Sequence, residues 1–254
     1  MIDDSYIKRL HDTIIKNCTL CGGSGKTVNG PCECQIEFRA VNRMITRGFM
    51  EEYLMLDQSM LPKLDLSEQD RNILNFYSHN SDAVRDQGLS LYIYGEQVGP
   101  GKTSLAVLLA KQYSKYNLSE DNYMWEFDSY YYDISSFFNS IKSVDYNTEK
   151  FEAWDAKMVV LDEFGREGME SKTKDWMNMV LEQFLRHRIG SHLPTILVSN
   201  LKPAMLIELY GVRIPSLLGV TEDNTIRGLV YKSVEVKGGD FRTDQRGLTS
   251  RWER

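Results

Sequence analysis

The chain has 254 residues, of which 42 % are hydrophobic and 26 % are charged, and its formal net charge at pH 7 is −6. This size and composition are typical of a globular protein with one substantial core and a small appendage. They argue against a membrane-spanning protein, which needs an apolar run of roughly 20 residues, and against a protein that coats duplex DNA through a large basic face. The polar N-terminus lacks the apolar segment of a secretion signal, which predicts a cytoplasmic protein without a membrane partner.

All four cysteines lie close together, with two residues between Cys18 and Cys21 and one between Cys32 and Cys34. Clustered cysteines in a cytosolic chain favour a metal site over disulfides. Two pairs joined by a short loop suit tetrahedral Zn²⁺, and four sulfurs would close the site and make it structural. The glycine-rich segment after the first pair would let main-chain amides face the thiolates. The alternative is four reduced thiols without a ligand.

The periodicity after the cysteines predicts one helix from about residue 36 to residue 56. Its arginine stripe would suit nucleic acid or an acidic partner, and the alternative is an ordinary solvated face. The apolar face carries Phe38, Val41, Ile45 and Phe49, and the stripe carries Arg39, Arg43 and Arg47.

A linker and a second helix follow. Pro62 would end the preceding helix, and Ser67 with Asp70 forms a capping box that predicts the start of the next one. The buried positions of that helix would be Ile73, Leu74 and Tyr77.

The segment Gly-Pro-Gly-Lys-Thr-Ser at 99–104 lies between an apolar strand at 90–94 and an apolar helix, which is the context of a phosphate-binding P-loop. Glycines let main-chain N–H groups surround anionic oxygens, and the helix N-terminus adds partial positive charge. Lys102 would neutralise the outer phosphates, and Thr103 would ligate Mg²⁺. The pattern predicts ATP binding by Gly99, Pro100, Gly101, Lys102, Thr103 and Ser104.

The loop departs from the usual pattern at one position. Glu96 stands where a glycine is usual, and Gly95 lies one residue earlier, so that the loop is one residue longer. The alternative, a glycine-rich turn that binds nothing, fits less well with the strand before it and the helix after it.

A second acidic motif follows further along the chain. The apolar run at 157–161 predicts a parallel strand buried on both faces, and it ends in Asp162 and Glu163. Carboxylates at the end of a central strand beside a P-loop form a Walker B arrangement, in which Asp162 would hold Mg²⁺ and Glu163 would polarise the attacking water. The alternative is an acidic pair that caps a turn.

The remaining elements are a strand within 130–134, a helix capped by Ser135, a helix at 171–188, a strand at 194–198 and a last strand near 234–236. The strand at 194–198 leads to Asn200, a candidate sensor of the γ-phosphate or the lytic water, or else a turn residue. The inward positions of the helix at 171–188 would be Trp176, Met179, Val180 and Phe184.

In this order and spacing, the motifs resemble the DnaC/DnaI family of replicative helicase loaders within the AAA+ ATPases. The resemblance covers nearly the whole chain, from the cysteine segment and helical linker to YGEQVGPGKTSLA, VVLDEFG, ILVSN and the closing GGDFR. It implies an α/β fold, with a P-loop AAA+ core whose parallel sheet is flanked by helices. We therefore predict a zinc-binding, helicase-binding module at 1–60, a linker at 61–88 and the ATPase domain at 89–254.

The resemblance also implies partners. The N-terminal region would hold a DnaB-type hexameric helicase, and ATP-bound subunits would assemble with one another around single-stranded DNA. ATP hydrolysis would then switch this assembly and release the helicase.

By position, the resemblance makes Lys102 and Thr103 the Walker A residues, Asn200 sensor 1 and Arg242 sensor 2. An arginine finger is also implied, and the choice lies between two residues. Arg227 fits the spacing but is followed by glycine, whereas Arg213 resembles the arginine that often precedes the finger. Either implies side-by-side packing of subunits, because a finger supplies positive charge to a neighbour's nucleotide.

Two other functions compete with the loader. One is an IstB-like transposition helper ATPase, which shares the core but usually binds duplex DNA and lacks a zinc module at this place. The other is a nucleotide-gated binding module with negligible turnover, against which the intact Asp162–Glu163 pair argues.

Overall fold

The computed structural model describes residues 4–56, 64–97, 99, 101–119, 129–143, 152–166, 174–221 and 225–238. Four sequence predictions lie outside these ranges, wholly or in part. They are Pro100, residues 61–63 of the linker, the first three residues of the helix at 171–188, and the closing segment with Arg242.

The N-terminal part combines short helices with a small hairpin. It contains α1 (Asp4–His11), which continues as a π-helical stretch (Asp12–Lys16), the antiparallel strands β1 (Lys26–Thr27) and β2 (Gly30–Pro31), and the helices α2 (Glu33–Thr46) and α3 (Glu51–Leu54).

The prediction of one continuous helix from 36 to 56 is wrong, because the chain turns between α2 and α3. Gly48 adopts a φ of +91° there, a conformation that favours glycine. A Cβ at this position would collide with the main-chain oxygen of Tyr131. The break is thus set by a contact with a distant strand, which local periodicity does not report.

Within the described ranges, five parallel strands form one sheet in the order β4-β5-β6-β3-β7. The strands are β3 (Ser90–Tyr94), β4 (Ser129–Asp133), β5 (Met158–Asp162), β6 (Thr195–Ser199) and β7 (Tyr231–Glu235). The helices around it are α4 (Glu68–His79), α5 (Ser81–Gln87), α6 (Lys102–Ser119), α7 (Ile134–Ser143), α8 (Lys174–Gly190), α9 (Met205–Tyr210) and α10 (Arg213–Leu218).

Both faces of the sheet are covered, as the unbroken apolar run of β5 predicts. Met158 and Val160 belong to one core with α6 and the N-terminal helices, whereas Val159 and Leu161 belong to a second core with α7 and α8. The expected α/β architecture, a parallel sheet flanked by helices, is therefore confirmed. The division of the chain at residues 60 and 88 stays a prediction. Among the described helices, none has the length and apolar character needed to cross a bilayer.

Local predictions vary in outcome. The predicted helix start at Ser67 is confirmed, because the Ser67 hydroxyl accepts from the Asp70 amide at 3.1 Å. The cap predicted at Ser135 is wrong: α7 begins one residue earlier, and the Asp133 carboxylate accepts from the Ser136 amide at 2.9 Å. Met179, predicted to face inward, is 50 % exposed.

A buried lysine joins the N-terminal helices to α6. Lys111 is 4 % exposed, and its Nζ donates to the main-chain oxygens of Leu54 and Leu56 at 2.7 and 2.6 Å. It also donates to Glu37 Oε1 at 3.2 Å, while Lys115 donates to Glu37 Oε2 at 3.4 Å. Burial opposes the charged form of Glu37, but the two lysines lower its pKa below the ordinary value. The helix that begins at the P-loop is thus bonded directly to α2 and α3.

We expect Lys111→Met to lower the free energy of unfolding by about 3 kcal/mol, because the carbonyls of Leu54 and Leu56 lose their donor and Glu37 keeps only Lys115. Lys115→Met is the matched control and should cost less than about 1 kcal/mol, because its ion pair is partly exposed. Urea denaturation followed by tryptophan fluorescence measures both values. Equal losses in the two variants would contradict a special role for the buried lysine.

Candidate nucleotide and metal sites

A cleft of about 700 Å³ lies where the carboxyl ends of the strands face the start of α6. Ligands of open parallel sheets bind at this edge. The cleft brings together most of the residues predicted from the P-loop and Walker B patterns. These are Gly99, Gly101, Lys102, Thr103, Ser104, Asp162, Glu163 and Asn200.

The P-loop backbone depends on its glycines. Gly99 and Gly101 have φ values of +92° and +93°, which glycine adopts without strain. A Cβ on Gly95 would collide with the main-chain oxygen of Val236, the residue that follows β7. The close approach of β7 thus explains why a glycine is needed at 95, one residue before its usual place.

The Lys102 side chain is held by its own loop. It is 6 % exposed, and its Nζ donates to the main-chain oxygens of Gly95 and Gln97 at 2.8 and 2.7 Å. Carbonyl oxygens are acceptors that phosphate oxygens can replace. The ammonium group is therefore already placed inside the loop.

The Asp162 carboxylate is fixed by three donors. The Thr103 and Tyr131 hydroxyls both donate to Oδ2 at 2.7 Å, and the Glu163 amide donates to Oδ1 at 2.7 Å. A carboxylate and a hydroxyl side by side form the kind of oxygen donor set that Mg²⁺ prefers. Thr103 and Asp162, the two residues predicted to hold Mg²⁺, are thus in direct contact.

Tyr131 was missed by the sequence reasoning, which identified its strand but not its contact. Burial, and then the negative charge of Asp162, raise the pKa of Tyr131 well above its ordinary value. The phenol therefore stays protonated and can only donate to the carboxylate.

The backbone at Glu163 is unusual and firmly held. Glu163 has a φ of +57°, a conformation that costs energy in any residue other than glycine. The next residue, Phe164, donates its amide to Val198 at 2.8 Å and accepts from the Ser199 hydroxyl at 2.6 Å. At the rim of the cleft, Arg166 Nη1 donates to Glu163 Oε1 at 2.6 Å.

The candidate arginines lie elsewhere. Neither Arg213 nor Arg227 lines the cleft of its own chain, and both side chains are exposed. The Arg213 guanidinium lies 3.6 Å from Glu182 Oε2. Arg242 lies outside the described residues. The choice between the two candidate fingers stays open.

The four cysteines form a compact cluster. All four Sγ atoms lie within 4.8 Å of one another, with 3.8 Å between Cys18 and Cys32 and 3.6 Å between Cys21 and Cys34. A tetrahedral Zn²⁺ with Zn–S bonds of about 2.3 Å separates its sulfurs by about 3.8 Å. The residues therefore fit the predicted ion.

The glycine-rich segment supports this cluster as expected. Gly22, Gly23 and Gly25 all have positive φ values, and the Gly25 amide donates to Cys21 Sγ at 3.2 Å. Cys32 and Cys34 are buried against Ile15 in a core that contains few other side chains. So small an apolar core contributes little folding free energy, and a metal would supply the rest.

We expect the purified protein to contain about one zinc ion per chain, and Cys34→Ser to lose most of it, because a three-thiolate site binds less tightly. Elemental analysis measures the ion, with Ser24→Ala as a control that leaves all four thiols. After chelation, hydrogen exchange should accelerate at 18–34 and stay unchanged in β3. A metal-free native protein with slow exchange at 18–34 would refute the zinc site.

Solved structures of other proteins have a similar fold over most of this chain. The solved structure of DnaI matches 80 % of this chain and 100 % of its own, with 20 % identity and a TM-score of 0.56. The DnaC helicase loader matches 74 % of this chain and 100 % of its own, with 17 % identity and a TM-score of 0.53. The chain shares the fold of DnaI and DnaC. The resemblance inferred from the motifs is confirmed in this respect.

A third structure extends the comparison. The replication initiator DnaA, bound to AMPPCP and single-stranded DNA, matches 77 % of this chain and 57 % of its own, with 15 % identity and a TM-score of 0.52. Neither a family model nor a curated protein matches the sequence. The comparisons therefore establish the fold.

Proposed function

We propose that this protein is an AAA+ ATPase that loads a DnaB-type hexameric helicase onto single-stranded DNA, with ATP binding and hydrolysis switching assembly and release. The observation that carries the proposal is the cleft in which Lys102, Thr103 and Asp162 converge at the carboxyl edge of the sheet. The fold shared with DnaI and DnaC supports it further.

Binding of ATP would begin at the P-loop. The first residues of α6 line the cleft, and a helix N-terminus favours an anion there. Lys102 would exchange the carbonyls of Gly95 and Gln97 for the outer phosphate oxygens, which form stronger, charge-assisted bonds. The Thr103 hydroxyl and the Asp162 carboxylate would hold Mg²⁺, which would neutralise negative charge on the phosphates.

Hydrolysis would depend on Glu163 and Asn200. Both line the cleft at the ends of neighbouring strands. Glu163 would accept the proton of the attacking water once its carboxylate turns from Arg166 toward the cleft. Asn200 would donate a hydrogen bond to the γ-phosphate or to the water.

Self-assembly would complete the site. Arg213 and Arg227 are exposed and outside the cleft of their own chain, so that either would reach a nucleotide only in a neighbouring subunit. A cation from a neighbour would make hydrolysis depend on assembly, since it stabilises charge that develops in the transition state. Arg242 is proposed as sensor 2.

The cysteine module, residues 18–34, would hold the helicase. Two large apolar side chains are exposed on its turns, with Leu20 at 74 % and Val28 at 101 %. Exposed apolar groups at the tips of a small module are typical of protein contacts. The DnaA structure, which contains bound single-stranded DNA, supports the proposal of a similar ligand for this chain.

Two variants separate ATP binding from hydrolysis. Lys102→Ala should weaken ATP binding by about 100-fold, because it removes a charged donor to the phosphates. Glu163→Gln should retain wild-type affinity while turnover falls by 10²-fold or more, roughly the contribution of a general base. Calorimetry with Mg²⁺ and phosphate release measure the two properties, and Lys115→Ala on the same helix is the control. Wild-type affinity in Lys102→Ala would refute the P-loop assignment.

The loader proposal is tested by mixing the protein with hexameric helicases of the DnaB type and ATP, and by measuring the mass of the complex. We expect a discrete complex, which Leu20→Ser combined with Val28→Ser weakens by about tenfold or more through loss of apolar contact area. Zinc content and ATPase rate should not change. Leu229→Ser is the matched control, because Leu229 lies outside the cysteine module and its side chain is 97 % exposed.

Capture of a transposase but of no helicase would favour the transposition helper instead. Helicase capture with undetectable phosphate release, with and without single-stranded DNA, would favour a binding module.

A further inference from the structure

We infer that Tyr131 is a positioning residue that orients the Asp162 carboxylate for the divalent cation, and that the turn between α2 and α3 holds Tyr131 in place. This inference rests on the proposed function, because it concerns the cation of the same nucleotide site.

The donors are unevenly distributed over the two oxygens of the Asp162 carboxylate. An ionised carboxylate has about two acceptor sites on each oxygen. The hydroxyls of Thr103 and Tyr131 occupy both sites on Oδ2, whereas the Glu163 amide occupies one on Oδ1. Among the described residues, none donates to the remaining site on Oδ1, and a cation or its bound water would use that site. Tyr131 thus decides which oxygen of Asp162 is available.

The register between β4 and β5 places Tyr131 beside Asp162. Tyr131 pairs with Val160, and Asp162 lies two residues further along β5, so that both side chains face the same side of the sheet. Tyr130 faces the opposite side and donates to Glu152. The contact between Tyr131 and Asp162 therefore follows from strand alternation, and a shift by one residue would remove it.

Residues 47–49 hold Tyr131 in place. Its amide donates to the Arg47 main-chain oxygen at 3.0 Å, and its ring packs on Phe49 with the centroids 5.7 Å apart. Gly48 lies so close to the Tyr131 carbonyl that no side chain fits between them. Three consecutive residues of the N-terminal segment thus contact the tyrosine.

The same segment forms one wall of the cleft. Gly48, Met50 and Tyr53 line it together with Tyr131 and Asp162. The residues that follow the cysteine module are therefore part of the nucleotide site, and they reach the metal-binding carboxylate through one phenol.

The test measures cation affinity directly. Mn²⁺ is titrated by electron paramagnetic resonance into the full chain saturated with a non-hydrolysable ATP analogue. We expect Tyr131→Phe to weaken Mn²⁺ binding by about tenfold, the lower end of the loss usual for residues that orient a metal ligand. Affinity for the analogue without a divalent cation should match the wild type. Hydrolysis should recover as Mg²⁺ is raised, because the reacting groups are intact.

Tyr130→Phe is the matched control, since it removes a phenol that donates to a carboxylate on the opposite face of the same strand. It should leave Mn²⁺ affinity unchanged. Phe49→Leu is a second variant that keeps the phenol but loosens its packing, and it should weaken Mn²⁺ binding by about two- to threefold, a fraction of that loss. Thermal denaturation confirms that each variant is folded.

Two results would overturn the inference while the proposed function stands. One is wild-type Mn²⁺ affinity in folded Tyr131→Phe and Phe49→Leu, and the other is an equal loss in Tyr130→Phe. Failure of the wild type to bind the analogue would overturn the proposed function itself, and with it the inference.

Discussion

The hydrogen bond between Thr103 and Asp162 joins the two halves of the candidate site. Thr103 lies in the first turn of α6, and Asp162 ends a strand that is second from the edge of the sheet. Their contact exists only because β3, β6 and β5 are parallel neighbours whose carboxyl ends meet. Any change in strand order or register would separate the P-loop from Asp162. The geometry of the cleft therefore follows from sheet topology more than from either motif.

The N-terminal segment depends on the same core. Lys111 lies on the helix that begins at the P-loop, and it supplies donors to the end of α3 and to a carboxylate of α2. A buried ammonium is costly unless it is fully paired, so that these helices and α6 stabilise one another. The contact of Gly48 with Tyr131 adds a second attachment beside the cleft. The segment after the cysteine module and the candidate nucleotide site are thus parts of one packed unit.

The features of the site that depend on short, local sequence patterns can be predicted from the sequence. The P-loop follows an apolar strand directly, and the Walker B carboxylates follow another, so that adjacency in the chain is enough to place them. Tyr131 has no such signature, because its role arises from register with a strand that lies about thirty residues further along the chain. Arg188 lies near the end of α8, as the sequence predicts. Its complete burial and its bonds to the main-chain oxygens of Ala156 and Pro194 are not predicted. Long-range contacts of this kind leave no periodic trace.

Glu163 is held by one local ion pair with Arg166 and by the bonds of the next residue, Phe164, to β6. Its ion pair with Arg166 joins a side chain that is 41 % exposed to one that is 71 % exposed, and such pairs contribute at most about 1 kcal/mol. The strained backbone at Glu163 has a cost of similar or larger size. The bonds of Phe164 to β6 lie in the core, where each unmade bond costs about 1–3 kcal/mol. The main chain is therefore fixed by Phe164, while the carboxylate can leave Arg166 at small cost and turn toward the cleft.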